Sequence, residues 1–253
     1  MTRMCTGLVV WTLVLIGTQV RAQDEKSLTR DEVAALKKRL VATFDALGQP
    51  PQGYSVEHEY FNLPAEAYKN SSSGLYNLIA LSANRDYGTQ KKMEEESGDF
   101  QKEYQKKMAE AQAKGDYQTM MQLSQELQQK ASAMQLKAVE THKEPVHVNV
   151  QFNGNPGEVI DPDAVLFEQP GMIALKSNME KTSETIHMYF DPVALKNTKQ
   201  LSRISMTMPE TGVAKRTALV NATIELSGPI AEIEPWAKKI DVKKVLGQID
   251  SVK

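Results

Sequence analysis

The chain has 253 residues, of which 41% are hydrophobic, and its 30 basic side chains nearly balance 32 acidic ones. A net charge of −2 excludes the strong basic field that binding to nucleic acid or to an anionic membrane surface requires. The length and the apolar content are sufficient for one large domain or two small ones, each with its own core.

The first 22 residues have the features of an export signal. Arg3 precedes an apolar run over residues 7–17, and Val20, Arg21 and Ala22 supply a site of the type that signal peptidase cleaves. The run is far shorter than the roughly 20 residues that a membrane-spanning helix needs. We therefore expect cleavage after Ala22 and a soluble periplasmic or extracellular protein that is not an integral membrane protein.

Cys5 is the only cysteine, and it precedes the apolar run. After cleavage at Ala22 the mature chain has no cysteine, so disulfides, cysteine nucleophiles and thiolate metal sites are excluded. An exported protein without disulfides must be stabilised by its hydrophobic core alone.

The mature chain begins with a predicted helix. Thr29 and Glu32 match a capping box, in which each side chain accepts a hydrogen bond from the other residue's backbone N–H. Apolar residues then recur at helical spacing, namely Val33, Leu36, Leu40, Phe44 and Leu47. Gly48 and the prolines after it end the helix.

Two strands are predicted next. Apolar and polar residues alternate from Tyr54 to Phe61, which predicts a strand with one apolar face. That face consists of Tyr54, Val56, His58 and Tyr60. Residues 75–83 are also apolar, and we interpret them as a strand, although periodicity alone does not separate a short strand from a short helix.

Residues 89–141 lack proline and are rich in Gln, Lys, Glu, Ala and Met, which favours helix throughout. Gly115 and Asp116 are the residue types of a sharp reversal, and they divide the segment into equal arms, 89–114 and 116–141. The second arm has the steps of three and four of a coiled-coil seam: Tyr117, Met120, Ser124, Leu127, Ala131, Met134 and Ala138. We expect an inserted antiparallel helical hairpin with Gly98 inside its first arm. A second reversal at Gly98, which gives three helices, is the alternative.

Five apolar residues of the second arm are candidates for partner binding: Met120, Met121, Leu123, Leu136 and Val139. The last four fall outside the predicted seam, and a two-helix hairpin has only one seam to bury. Methionine side chains adapt to varied surfaces. We therefore predict contact with a protein partner, or self-association, through the hairpin. The alternative is that these residues only pack the two arms together.

Beyond residue 145 the pattern changes to strands. Val146 to Phe152 alternates and precedes a turn at Asn153 and Gly154. Further strands are predicted over residues 172–176, 185–190, 202–208 and 217–226. Pro229 then begins a C-terminal helix whose apolar stripe is Ile230, Ile233, Trp236 and Ile240.

This order of elements favours an α+β fold. Its main part is an antiparallel sheet with N- and C-terminal helices, and the hairpin is inserted between strands. The predicted division is a signal at residues 1–22, the first helix and strands at 23–88, the hairpin at 89–141 and the remainder at 145–253.

No residue pattern indicates catalysis. The four histidines, His58, His142, His147 and His187, form no close metal pair, and HExxH, GxSxG and glycine-rich phosphate motifs are missing from the sequence. We therefore expect no catalytic residue, no cofactor and no metal site. The prediction is a non-catalytic, exported or envelope-associated interaction module.

Two alternatives stay open. In the first, a small apolar ligand is held between the sheet and the C-terminal helix of Trp236. In the second, the similar stretches that begin at His58 and His187 pair the two histidines at a hydrolase site. Asp161 and Asp163 flank a proline, and we interpret them as a solvated turn rather than a cation site.

Overall fold

The computed structural model describes residues 26–141, 143–177 and 184–251. The predicted signal, its cleavage site and His142 lie outside these ranges. The first helix, α1, spans Arg30–Asp45. Its capping box is confirmed, because the Thr29 N–H donates to the Glu32 carboxylate at 2.8 Å while the Glu32 N–H donates to the Thr29 hydroxyl at 3.3 Å.

The strands follow in chain order, and their bounds are β1 Ser55–Asn62, β2 Leu81–Gly88, β3 Val146–Phe152, β4 Glu158–Val159, β5 Val165–Gln169, β6 Met172–Ser177, β7 Glu184–Phe190, β8 Arg203–Ile204 and β9 Ala222–Gly228. Within the described ranges, seven of them form one sheet in the order β1-β2-β3-β9-β7-β6-β5. All neighbouring pairs are antiparallel. Together with the helices, this sheet confirms the predicted α+β class.

The remaining α-helices of the described chain are α2 Gln90–Ala113, α3 Tyr117–Thr141, α4 Ile230–Ala237 and α5 Val242–Leu246. α2 continues through Gly98, so the chain does not reverse there. Gly115 adopts φ 65° between α2 and α3, and the Asp116 carboxylate accepts the Thr119 N–H at 3.0 Å. In the part of the chain with described structure, no helix combines the length and the apolar character that crossing a membrane demands.

The main hydrophobic core lies on one face of the sheet, beneath α1, α4 and α5, and a second buried cluster that includes Ile173, Leu175 and Tyr189 lies on the other face. Alternate residues of β3 and β9 face it, and Val150 and Ile224 in these strands are fully buried. α4 is fastened over this face by Trp236. Its indole N–H donates to the carbonyl oxygen of Leu47 at 2.8 Å, and its ring packs edge-on against Tyr87 with 5.1 Å between centroids.

The predicted strand at residues 54–61 is confirmed as β1, but its predicted apolar face is wrong beyond Val56. A β-bulge shifts the register between Val56 and His58, so the side chains after it change faces. Tyr60 is therefore exposed on the polar face, and Phe61 packs against the core instead. The ammonium group of Lys37 lies 4.4 Å from the centroid of the Phe61 ring.

The strand predicted at residues 202–208 shrinks to β8, because a buried carboxylate takes the backbone hydrogen bonds. The Asp191 side chain is fully buried and accepts the backbone N–H of Thr207 at 2.6 Å. It also accepts the N–H groups of Val193 and Ala194, each at 2.8 Å. β8 pairs with β4, and beyond β8 the chain at Thr207 is held by the Asp191 side chain rather than by a strand partner.

The strand predicted at residues 217–226 begins only at Ala222, because the buried side-chain amide of Asn153 binds the backbone of the residues before it. Asn153, at φ 59°, accepts the Val220 N–H at 2.8 Å. Its amide group donates to the carbonyl oxygens of Ile79 and Ala218 at 2.8 and 2.9 Å. One side chain therefore satisfies three buried backbone groups, one in the segment before β2 and two in the segment before β9.

Two further strand boundaries differ from the prediction. β2 begins at Leu81 rather than at residue 75, because the preceding residues form only isolated bridges such as Tyr76 with Val213. β5 is not predicted from the sequence at all. The sequence feature that indicates this strand is the Pro170-Gly171 turn, which joins β5 to β6 as an antiparallel pair.

Candidate functional site

The helices α2 and α3, called the helical pair below, form the candidate site. They contact one another where the Lys130 ammonium group of α3 lies 4.8 Å from the centroid of the Phe100 ring in α2. Within α2, the Phe100 and Tyr104 rings lie 6.5 Å apart at four-residue spacing. On the outer surface, Glu103 and Lys107 form a salt bridge of 2.7 Å across one helical turn.

The segment between α3 and β3 connects the helical pair to the sheet, and hydrogen bonds hold it in place. Lys143 forms a salt bridge of 2.6 Å with Glu232 of α4 and donates to the carbonyl oxygen of Gln52 at 3.3 Å. The Tyr54 hydroxyl donates to the carbonyl oxygen of Glu144 at 2.8 Å. Burial, and then the negative charges of Glu232 and Glu144, raise the pKa of Tyr54, so its hydroxyl stays a neutral donor.

The structure separates the five residues predicted to bind a partner. Met121 and Leu136 are 68% and 66% exposed, and Met120 is half-buried. Leu123 is only 9% exposed, so it packs within the helical pair and is removed from the candidate surface. The Val139 side chain is not among those that the structure describes.

The buried stripe of α3 is shifted from the predicted seam. Its buried or half-buried members are Met120, Leu123, Leu127 and Met134. Ser124 and Tyr117, which the seam prediction places inside, are exposed, and Tyr117 is 78% exposed. Burying Leu123 in place of Ser124 removes more apolar surface from water, which favours the shift.

Three exposed apolar side chains of α3, namely Tyr117, Met121 and Leu136, are called the apolar stripe below. Tyr117 and Met121 are neighbours at four-residue spacing. Leu136 lies on the same side of the helix, about 22 Å further along the axis at 1.5 Å per residue. Sequence reasoning missed Tyr117 because the coiled-coil spacing places it in the seam.

No protein-family model, curated protein or solved structure matches the chain.

The two histidines that the hydrolase alternative pairs do not share a site. His58 is in β1 and His187 is in β7, with β2, β3 and β9 between them. Strands are about 4.8 Å apart, so four spacings separate the two histidines by about 19 Å. That pairing is therefore wrong.

His147 and His187, which lie on the sheet face opposite the main core, each have a carboxylate neighbour. His147 Nδ1 lies 2.7 Å from the Asp86 carboxylate, and His187 Nδ1 lies 4.0 Å from that of Glu225. His187 also stacks on Tyr189, with 6.2 Å between ring centroids. The two histidine–carboxylate contacts cross between neighbouring strands, whereas His187 and Tyr189 lie two residues apart in β7. Among the described residues, no group of three or more His, Cys, Asp or Glu side chains is placed to hold a metal ion.

Tyr189 is buried in the second hydrophobic cluster and contacts β4, the strand that precedes Asp161 and Asp163. Its hydroxyl donates to the Glu158 carboxylate, and burial together with that carboxylate strongly raises the pKa of Tyr189. Asp161 turns inward on its own loop, where its carboxylate accepts the Asp163 N–H at 3.0 Å. The Glu158 and Asp161 carboxylates thus each accept a hydrogen bond that holds the local structure.

The space between the sheet and α4, where a ligand was the other alternative, is filled by side chains. Trp236 is 3% exposed and Ile233 is fully buried, and both belong to the main core with Tyr87. A cavity of about 380 Å³ lies between α4 and the loop of Pro50 and Pro51. The ligand position predicted beneath the helix is therefore occupied by the core itself.

Proposed function

We propose that the chain is an exported, non-catalytic protein that contacts a protein partner through the helical pair. In this proposal the pair is an inserted antiparallel coiled-coil hairpin, and the first 22 residues are a cleaved signal that directs the protein to the periplasm or the cell exterior. The observation that carries the proposal is the apolar stripe, whose three large side chains are exposed on one side of α3.

The energetics of the stripe favour a reversible contact. Full burial of each of the three side chains stabilises a complex by about 1.5–3 kcal/mol. Their sum is comparable to the cost of association, which is about 4–15 kcal/mol. The glutamines between the apolar residues, such as Gln125 and Gln128, are exposed and supply the additional polar contacts that net affinity needs.

Site-specific photocrosslinking in the native host tests the proposal. A photoreactive residue at Met121 or Leu136 is expected to yield a discrete adduct, because both side chains face outward. The matched control is Gln105, an exposed polar position on α2. Equal adduct yields from all three positions, or no adduct from any, would contradict a contact through the apolar stripe.

A second variant tests whether the sheet makes the contact instead. Tyr87 of β2 and Val146 of β3 are paired across neighbouring antiparallel strands. A tight Asn-Gly turn can therefore replace residues 88–145 and join the two strands directly. The proposal predicts that this shortened protein folds and loses the partner. Retention of the partner by the folded variant would assign the contact to the sheet.

A further inference from the structure

A small apolar cluster, distinct from the main core, lines a cavity of about 620 Å³ near the C-terminal end of the described chain. Val213, Ala218 and Val220 form the cluster, and Leu75 and Ala214 add apolar surface to the wall. Small-molecule sites typically have volumes of about 300–1,000 Å³ and mostly apolar walls. The cavity has the size and the lining of such a site.

One wall of the cavity is held in place by backbone hydrogen bonds. Tyr76 and Val213 exchange two N–H···O=C bonds, both of 2.8 Å. Gly212 makes this close approach possible: it adopts φ 98°, and a Cβ there would lie only 2.6 Å from the carbonyl oxygen of Tyr76. The Ser73 hydroxyl also donates to the carbonyl oxygen of Thr211 at 2.7 Å. The wall is thus formed before any ligand binds, which lowers the entropic cost of binding.

Asp250, which also lines the cavity, has a carboxylate that already accepts three hydrogen bonds. Asp250 accepts two hydrogen bonds of 2.8 Å from Arg39 and one of 2.9 Å from the Leu219 N–H. Burial opposes its ionisation, but these donors and the charges of Arg39 and Lys215 outweigh burial and lower the pKa of Asp250. Asp250 therefore remains an anion that a ligand does not need to satisfy.

Lys215 lines the cavity, and its ammonium group can donate a hydrogen bond to a ligand. Its ammonium group lies 3.6 Å from Asp250, beyond hydrogen-bond distance, and its side chain is 63% exposed. Arg39 and Lys215 both form ion pairs with the carboxylate of Asp250, so two positive charges lie beside one negative charge. Because Arg39, which is not part of the cavity lining, already pairs with Asp250, the charge of Lys215 is only partly neutralised by that carboxylate.

We infer that this cavity binds a single-chain amphiphile with a carboxylate head group. The alkyl chain lies against Val213, Ala218 and Val220, and the carboxylate accepts a hydrogen bond from Lys215. This position differs from the space beneath α4, which the core fills. None of the described residues that line the cavity belongs to the helical pair, so this inference is independent of the proposed function.

Isothermal titration calorimetry of the purified protein with sodium decanoate tests the inference. We expect saturable binding with a micromolar dissociation constant, and much weaker binding of decyltrimethylammonium, which has the same tail and the opposite charge. Lys215→Gln is expected to weaken decanoate binding about fivefold, the value of one ion pair near water, and Lys215→Arg to retain it. Lys199→Gln, which removes an exposed charge outside the cavity, is the matched control and leaves binding unchanged.

A cavity-filling variant tests the place of the alkyl chain. Ala214 lines the cavity and is exposed, so Ala214→Trp narrows the site without disturbing the core. We expect it to abolish decanoate binding while thermal unfolding stays as in the unmodified protein. No saturable binding of decanoate, equal binding of the cationic amphiphile, or full binding by folded Ala214→Trp would overturn the inference. So would flotation with phosphatidylglycerol vesicles in the absence of decanoate binding, because the ligand would then be a membrane lipid.

Discussion

The sheet with its three covering helices and the helical pair are built on opposite balances of burial and exposure. In the sheet, alternate residues of the central strands β3, β9 and β7 are fully buried beneath α1, α4 and α5. In the helical pair, Ala111 and Leu123 are the buried side chains among those the structure describes, at 4% and 9% exposure. The sheet therefore owes its stability to apolar burial, and the pair relies more on local helix formation.

This difference teaches where substitutions act. A side chain in the sheet core cannot be removed without leaving a cavity, so the core tolerates little change. The outer face of α3 carries large apolar residues that contribute little to folding, because they stay in contact with water in the folded protein. Stability and partner contact are thus assigned to different regions, and each region can be altered separately.

The largest expected effect compares one core residue with one residue of the apolar stripe. Ile224→Ala is expected to lower the free energy of unfolding by about 2–5 kcal/mol, because Ile224 is fully buried in the central strand β9. Leu136→Ala is expected to change it by less than about 0.5 kcal/mol. Urea unfolding followed by circular dichroism measures both. Similar losses in the free energy of unfolding for the two variants would show that the core and the apolar stripe do not differ in their contribution to folding.

The next largest effect concerns the buried Asn153. Asn153→Ala leaves the Val220 N–H and the carbonyl oxygens of Ile79 and Ala218 without their partner. We expect a loss of about 1–3 kcal/mol in the free energy of unfolding. Asn155→Ala, two residues further along and exposed, is the control and is expected to have almost no effect. Equal effects would mean that Asn153 does not hold the loops.

A smaller effect depends on pH. Hydrogen bonds from the Arg216 guanidinium, helped by the Thr29 donors and opposed by burial, hold the pKa of Glu32 at about 2, compared with 4.5 in the unfolded chain. The unfolded state therefore takes up the proton first as the pH falls. The stability from this pair is complete above pH 4.5 and is lost as the pH falls towards 2.

Because the pair is close to the surface, we expect it to contribute at most about 1 kcal/mol. Urea unfolding above pH 4.5 and between 4.5 and 2 measures the loss, and Glu32→Gln is expected to remove that part of the pH dependence. A variant whose stability falls with acid as steeply as that of the unmodified protein would rule out this role of Glu32.

Local features of the fold could be predicted from the sequence, and long-range ones could not. The capping box of Thr29 and Glu32 connects residues three apart, and the alternation of β3 is a period of two. The bulge in β1 depends on its pairing with β2. The loops held by Asp191 and Asn153 depend on hydrogen bonds between residues far apart in the chain, which no local pattern reveals.

The candidate surface shows the same limit on a finer scale. Positions outside a strict seam include Met121 and Leu136, and both are exposed. The seam itself was placed with a period of 3.5 residues, whereas a straight helix has 3.6, so faces drift along α3. That drift is only about 20° per heptad, so the burial of Leu123 rather than Ser124 is decided by the larger apolar side chain. The cavity beside Lys215 could not be predicted, because it is formed by loops far apart in the chain.

The most direct test of the central claim is one double variant, Met121→Lys with Leu136→Lys, assayed for both stability and association. The control, Gln101→Lys with Gln112→Lys, adds the same charges at exposed positions of α2. We predict that the first variant keeps the free energy of unfolding within about 0.5 kcal/mol and loses the partner or the self-association, while the control keeps both. A double variant that unfolds readily, or that still associates like the control, would contradict the claim that these residues serve contact rather than folding.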